Sequence, residues 1–433
     1  MAQFRTDRNI LRPQDVTNYE VQMLGERLTP SGTLTDAFGR LRISEPFTLF
    51  DSVHRYEEND KWSTSTTGTA SSTHLPNESC MRMDVGDQAN DEIVRETKRV
   101  FTYQPGKSLL IMNTFVFATP VAGLRQRIGY FGAQNGIFLE QDGTTLYLVK
   151  RSYVTGSVVD TRVAQANWNF DKFDGTGYAH SVDGPEHAEG LDVTKSNIFW
   201  IDVEWLGVGD VRCGFVVDGK MYIAHTFHHD NINTGPYMTT ATLPIRAELK
   251  VTSSINDSTT HSMKQICSTV ISEGGYQQVQ KELFARRTSA LGSIGTTFLP
   301  LVSMRLKSSR LDAVVIPSRI NALGIAATGT SNYEFALIKN GTLGGSPSWA
   351  SNSDSIEIDT AASSITGGTI INSFFSVSTN QSGQNISEAQ QYNLDLQLGR
   401  TLAGVSDIYT LCARTLSGTN SAIGSIGYYE IRG

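Results

Sequence analysis

Apolar and polar residues alternate in three successive runs between Asn197 and Phe227. Residues 198–206 are aromatic and β-branched, which suits a pleated, half-buried surface. Side chains on a strand point to alternate faces, so one face carries Trp200 and the other Phe199 and Trp205. Gly207, Gly209 and Asp210 then supply a turn, residues 211–217 a second strand, and 220–227 a third. Asp218-Gly219 joins the last two as a hairpin, because both central residues of a type I′ turn need positive φ. A meander of this kind cannot bury its apolar face alone. It predicts a second sheet packed against the first, in the manner of a jelly-roll sandwich.

The same short spacing continues on both sides. Lys98–Tyr103, Ser108–Phe117, Arg125–Phe131, Gly136–Glu140, Thr145–Arg151, Val158–Ala164, Ile245–Val251 and Lys264–Ile271 read as strands. Gln104-Pro105-Gly106, Gln134-Asn135-Gly136 and Asp142-Gly143 read as turns between them. Residues 48–275 are therefore expected to form one large jelly-roll sandwich, with loops at Ser63–Thr73 and Asp171–Leu191. Residues 276–288 read as a linker, either a strand or a short helix. Residues 289–433 read as a second, smaller C-terminal β-sandwich with strands at Ser303–Lys307, Leu311–Ile316, Tyr333–Lys339, Ile370–Val377, Asn393–Leu398, Ile408–Arg414 and Ala422–Ile431.

Residues 1–47 have no sustained period and are broken by Pro13, Pro30, Gly32 and Pro46, the mark of an arm rather than a domain. Within it Phe38, Leu41 and Ile43 alternate with Arg40 and Arg42, so this part can form an edge strand. An arm that is apolar only in places is ordered either by its own domain or by a neighbour.

Composition supports an all-β chain. Only 18 % of the 433 residues are charged and 39 are glycine, a turn-rich make-up. The formal charge of −7 lacks the basic balance of a nucleic-acid binder. No apolar run approaches the roughly 20 residues of a membrane helix, and the opening Met-Ala-Gln-Phe-Arg-Thr-Asp has no apolar core of a secretory signal. Cys80, Cys213, Cys267 and Cys412 stand far apart, without a paired thiolate motif, and read as buried free thiols suited to a reducing cytoplasm.

Candidate chemistry is sparse. In His225-Thr-Phe-His-His-Asp230, alternation puts 225 and 229 on one face and 228 on the other. The helix-borne zinc spacing is absent, and a polar strand end is the plainer account. Asp171, Asp174, Asp183, Glu186 and Glu189 do not follow a calcium-loop spacing and read as a solvated loop. Glu204, beside Trp200 and Trp205, suits a sugar-binding face, but no second carboxylate opposes it as glycoside hydrolysis requires. Nucleophile elbow, phosphate loop and dinucleotide fingerprint are missing from the sequence. No catalytic, cofactor-binding or metal residue is expected.

Four separated strings occur in order: Thr35-Asp-Ala-Phe-Gly-Arg-Leu-Arg-Ile-Ser-Glu-Pro-Phe47, Tyr103-Gln-Pro-Gly-Lys-Ser108, Trp168-Asn-Phe-Asp-Lys-Phe-Asp-Gly-Thr-Gly177 and Ile201-Asp-Val-Glu-Trp-Leu-Gly-Val-Gly209. Over about residues 30–275 the chain resembles a family of virion structural proteins of tailed bacteriophages, frequent in marine and cyanobacterial phages. After Gly177 it continues Tyr-Ala-His-Ser, where that family has Pro-Ser-Gly, so this loop diverges. The meander is also similar to the concanavalin or laminin-G type of jelly roll. The resemblance implies a non-enzymatic virion component of tail, baseplate, neck, fibre or decoration type, made in the host cytoplasm and without cofactors. It also implies a homo-oligomer, a trimer by analogy, that joins other virion proteins and binds neither nucleic acid nor membrane. Phe38, Arg40, Leu41 and Arg42 would be the assembly arm. The alternative is a lectin-like module that recognises host-surface glycan through Trp200, Glu204 and Tyr178.

Overall fold

The computed structural model describes residues 45–177, 190–276, 281–379, 385–389 and 394–431. The arm residues Phe38, Arg40, Leu41 and Arg42, and Tyr178, lie outside these described residues.

Fifteen strands build the first part: β1 (Phe47–Ser52), β2 (Trp62–Thr67), β3 (Ser71–Leu75), β4 (Cys80–Val85), β5 (Glu92–Thr97), β6 (Leu109–Val116), β7 (Leu124–Phe131), β8 (Gly136–Asp142), β9 (Thr145–Ser152), β10 (Val159–Ala164), β11 (Asn197–Val203), β12 (Val211–Val217), β13 (Lys220–Phe227), β14 (Ile245–Val251) and β15 (His261–Ser272). One sheet runs β13-β12-β11-β6-β15-β4-β3, with β1 also on β15, and the other runs β10-β9-β8-β7-β14-β5-β2. Phe199, Ile201 and Val203 of β11 join Ile111 and Phe115 of β6 and Ile128 and Tyr130 of β7 in the core between them. The Asp218-Gly219 hairpin forms as expected, with φ of 47° and 75° at the two residues and Val217 opposite Lys220.

The second part comprises β16 (Glu282–Arg286), β17 (Leu291–Ile294), β18 (Leu299–Leu306), β19 (Val314–Ile325), β20 (Thr330–Lys339), β21 (Thr342–Gly344), β22 (Trp349–Ser351), β23 (Ile356–Asp359), β24 (Ser364–Thr366), β25 (Thr369–Thr379), β26 (Asn385–Ala389), β27 (Ile408–Thr415) and β28 (Asn420–Ile431). Its sheets run β16-β28-β19-β26, with β17 on β28, and β22-β23-β18-β27-β20-β25. Leu301, Met304, Phe335, Leu337, Tyr409 and Leu411 lie in its core. The chain is all-β, and among the described residues no helix is long and apolar enough to cross a membrane.

Several expectations need correction. Ser63–Thr73 is not a loop: β2 and β3 occupy it, each at the edge of a different sheet. Their Ser and Thr side chains are largely exposed, so the strands lack an apolar signal. The strand expected at Lys98–Tyr103 lies earlier, at β5, where Arg95 and Glu96 are buried in place of apolar residues. Residues 98–103 contribute one isolated bridge, Phe101 to Leu243. Leu394–Leu396 is a short 3₁₀ turn rather than part of a strand. The polar run after 276 contains β16, which pairs with β28.

That turn opens a segment that returns to the first sandwich. Arg99 donates to the Leu394 carbonyl and to Asp395, and Gln397 Nε2 donates to the Val100 carbonyl at 3.0 Å. Arg400 pairs with Glu96 at 2.8 Å, and Leu402 N donates to Ser63 Oγ at 3.0 Å.

The face of the β7-containing sheet turned away from the core carries a lattice of buried charge. Arg127 bridges Glu140 at 2.5 Å and Glu248 at 3.2 Å, and Arg246 bridges Glu248 at 2.6 Å and Glu96 at 2.9 Å. Arg162 binds Glu140 and Asp142, and Arg151 binds Asp160. Charges one residue in two along a strand normally indicate a solvated face, yet Glu140 is only 1 % exposed.

Candidate functional site

The β11–β12 connection shapes the most chemically dense surface. After Val203 the chain turns through Glu204–Asp210, with Glu204 N donating to the Asp210 carbonyl at 3.1 Å and Gly209 N to the Trp205 carbonyl at 2.7 Å. A side chain at Gly209 would meet the Glu204 carbonyl at 2.2 Å, so the turn closes only around glycine. Leu206 N donates to the Tyr103 hydroxyl at 3.2 Å, which ties the turn to the Tyr103–Ser108 loop.

Each polar side chain there is placed by a neighbouring strand. Asp202 stands opposite Arg212 in the β11–β12 register, and the two form an ion pair. Asp210 Oδ2 lies 2.7 Å from His228 Nδ1, and its Oδ1 accepts from the His229 amide at 3.1 Å. The Glu204 carboxylate has no hydrogen-bond or ion-pair partner among the described residues, and the residue is exposed.

The aromatic component comes from the segment after Trp168. Phe170 N donates to the Ala224 carbonyl and Asp171 N to the Ile223 carbonyl, both at 3.1 Å, so the segment lies along the open edge of β13. Asn169 fixes its register, exchanging two 2.9 Å bonds with the Thr226 backbone. The Phe170 ring is left 59 % exposed. Phe170, Asp202, Glu204, Asp210, Arg212 and His228 thus line one cleft of about 650 Å³, together with Tyr103 and Lys107. A second cleft of about 750 Å³ begins across those same two residues. Trp205 borders it, edge-on to Tyr103 with ring centroids 5.6 Å apart, and Arg310 and Asp312 reach it from the second sandwich.

The expected sugar face is partly redrawn. Glu204 lines the cleft, but Trp200 is 3 % exposed and offers no platform. Its indole lies over Gly214, where a Cβ would come within 2.7 Å of the ring. Phe170 takes that place, and its sequence signal was the Trp168-Asn-Phe-Asp string. The His225–Asp230 run is also resorted. His225 Nδ1 accepts from Asn169 N at 3.3 Å, whereas potential ligand atoms of Asp210, His228 and Asp230 lie within 4.8 Å of one another.

His229 is structural. It stacks on Tyr237 with centroids 3.8 Å apart, its Nδ1 donates to the Gly209 carbonyl at 2.9 Å, and its Nε2 accepts from Lys150 at 3.0 Å. Burial, joined by the Lys150 charge, pushes its pKa down to about 4. Burial likewise holds His54 and His225 at about 4. All three bind a proton more readily in the unfolded chain, so folding stability should fall as pH drops from about 6.5 to about 4. Urea midpoints across that range test this, and a flat profile would refute it.

No family model matches the chain, and no curated protein does. Among solved structures, a Bacillus licheniformis β-glucanase is 12 % identical over 53 % of this chain and 99 % of its own, with a TM-score of 0.32. The carbohydrate recognition domain of Emp47p is 11 % identical over 55 % and 99 %, with a TM-score of 0.33. The CBM2 module of the evolved Dit of Lactobacillus casei BL23 phage J-1 is 7 % identical over 55 % and 100 %, with a TM-score of 0.34. Likenesses this weak decide nothing about what the chain binds or does.

Proposed function

We propose that this protein is a non-enzymatic binding protein whose cleft at the β11–β12 turn takes a saccharide. The observation that carries this reading is the exposed Phe170 ring standing among Glu204, Asp210, Arg212 and His228 in a cleft of about 650 Å³. A pyranose presents an apolar C–H face and a rim of hydroxyls. An aromatic ring stacks on the first, while carboxylates accept from the second and arginine donates to it. The ion pair to Arg212 and the hydrogen bond to His228 occupy Asp202 and Asp210, which leaves Glu204 as an acceptor without an opposed acid.

The test is binding on a glycan array followed by calorimetry. Phe170→Ala should weaken the best ligand by about tenfold or more, with an unchanged melting curve, and Glu204→Gln should weaken it as well. Failure of every glycan to bind at millimolar concentration would sink the reading. Release of reducing ends from a bound glycan would overturn its non-enzymatic part.

The ordered strings between Thr35 and Gly209 favour a second, compatible role as a structural component of a tailed-phage particle. In that setting saccharide binding would serve attachment to the host surface. Removing residues 1–47 should then abolish incorporation into particles while leaving the sandwiches folded, and undiminished incorporation would refute the role.

A further inference from the structure

We infer that β25 is the self-association edge of this protein, pairing antiparallel with β25 of a second copy to make a two-fold dimer. β25 ends the six-stranded sheet of the second sandwich. It is hydrogen-bonded to β20 on one side, from Thr369 opposite Lys339 to Thr379 opposite Thr330, with no strand among the described residues on its other side. Its eleven residues, Thr-Ile-Ile-Asn-Ser-Phe-Phe-Ser-Val-Ser-Thr, contain no charge, proline or glycine. β25 carries a bulge at Ile371, where its register with β20 shifts, but the run from Asn372 to Thr379 beyond it has none of the charges or prolines that keep soluble sheets from adding strands.

The contrast with the other sheet edges makes the case. β13 is covered by the backbone of Phe170 and Asp171. β10 carries Asp160 and Arg162 in ion pairs, β16 carries Glu282 and Arg286, and β26 has only five residues. β22 has three residues and β3 five, while β2 receives the Leu402 amide on Ser63. Among the described edges, the long uncharged one in a second copy is β25 itself, so the pairing is isologous and closes at two. An uncharged strand also meets its own copy without opposing like charges. The side chains fit this use. Phe374 turns inward and stacks on Phe335 at 5.4 Å, while Phe375 and Val377 remain 64 % and 47 % exposed on the other face. In the dimer they would become cross-strand neighbours of the same residues in the second copy.

This inference is independent of the saccharide reading, because no cleft residue lies on β25. Light scattering on the full-length chain from about 1 to about 100 µM should show a monomer of 47.4 kDa giving way to a dimer. Phe375→Lys with Val377→Lys should remain monomeric throughout, with the wild-type melting curve. Hydrogen exchange on the wild type supplies a readout that needs no variant: β25 amides should exchange at least about tenfold faster in the dilute sample. A wild type monomeric at every concentration, a trimer, a dimer indifferent to the two lysines, or β25 exchange unchanged on dilution would each overturn the inference.

Discussion

Replacing Arg127 with alanine should destabilise the first sandwich by about 3–5 kcal/mol, because two buried carboxylates lose a shared cation. A loss of that size corresponds to a melting temperature lower by roughly 6–20 °C in a domain of this size. Glu140 and Glu248 both face Arg127 and both are almost inaccessible to water. Each keeps another partner, Arg162 and Arg246 respectively, so the lattice should weaken rather than scatter. Arg127→Met should cost nearly as much, since it restores the packing and leaves the carboxylates equally short of charge. Losses below about 1 kcal/mol in both variants would place the lattice among ordinary surface ion pairs.

Acid titration gives the same network a second signature. Burial pushes the Glu248 carboxyl up, but Arg246, Arg127 and Arg125 together outweigh it and hold the group below its ordinary value. A carboxyl lowered by folding contributes stability that is present above its unfolded-state pKa and lost as pH falls through the folded one. Arg127→Ala removes part of that contribution. The stability gap between wild type and variant should therefore narrow as pH drops below about 4.3, the unperturbed value for Glu.

Trp200→Ala should be the second severe substitution, costing about 3–5 kcal/mol as a large buried side chain leaves a cavity. The indole packs over Gly214, a position opposite Trp200 in the β11–β12 register where no side chain fits. Saccharide affinity corrected for the folded fraction should stay at the wild-type value, in contrast to Phe170→Ala, which should change affinity and spare stability. A mild stability loss in Trp200→Ala together with abolished binding would return the indole to the ligand site.

The contrast between Trp200 and Phe170 also marks how far the sequence could be read. Alternation along 198–206 correctly separated Trp200 from Phe199, because a two-residue period follows from strand geometry alone. Alternation does not say which face is covered, and the outward face of β11 proved to be buried at Trp200 and open at Glu204. The meander from Asn197 to Phe227 was legible because its turns carry glycine and its core face is apolar. β2 and β3 leave no mark in the sequence, because edge strands built from serine and threonine bury too little to show a pattern. β5 is hidden in the sequence because Arg95 and Glu96, inside the protein, resemble a solvated run. Phe170 could not be singled out by period at all, since an irregular segment braced by Asn169 holds it.

The segment after Leu394 has a consequence for how the protein is made. Arg99 is buried, and the carbonyl it meets belongs to a residue 295 positions later in the chain. At roughly 5–20 residues per second, a ribosome needs about 15–60 s to cover that distance. β15 ends at Ser272, so for the last part of that interval, about 6–24 s, the first sandwich has all of its strands but lacks the partners that Arg99 and the Val100 carbonyl later find. The nascent chain thus carries a polar, incompletely covered surface on the first sandwich, and this surface closes only once the segment from Leu394 to Leu402 has been made.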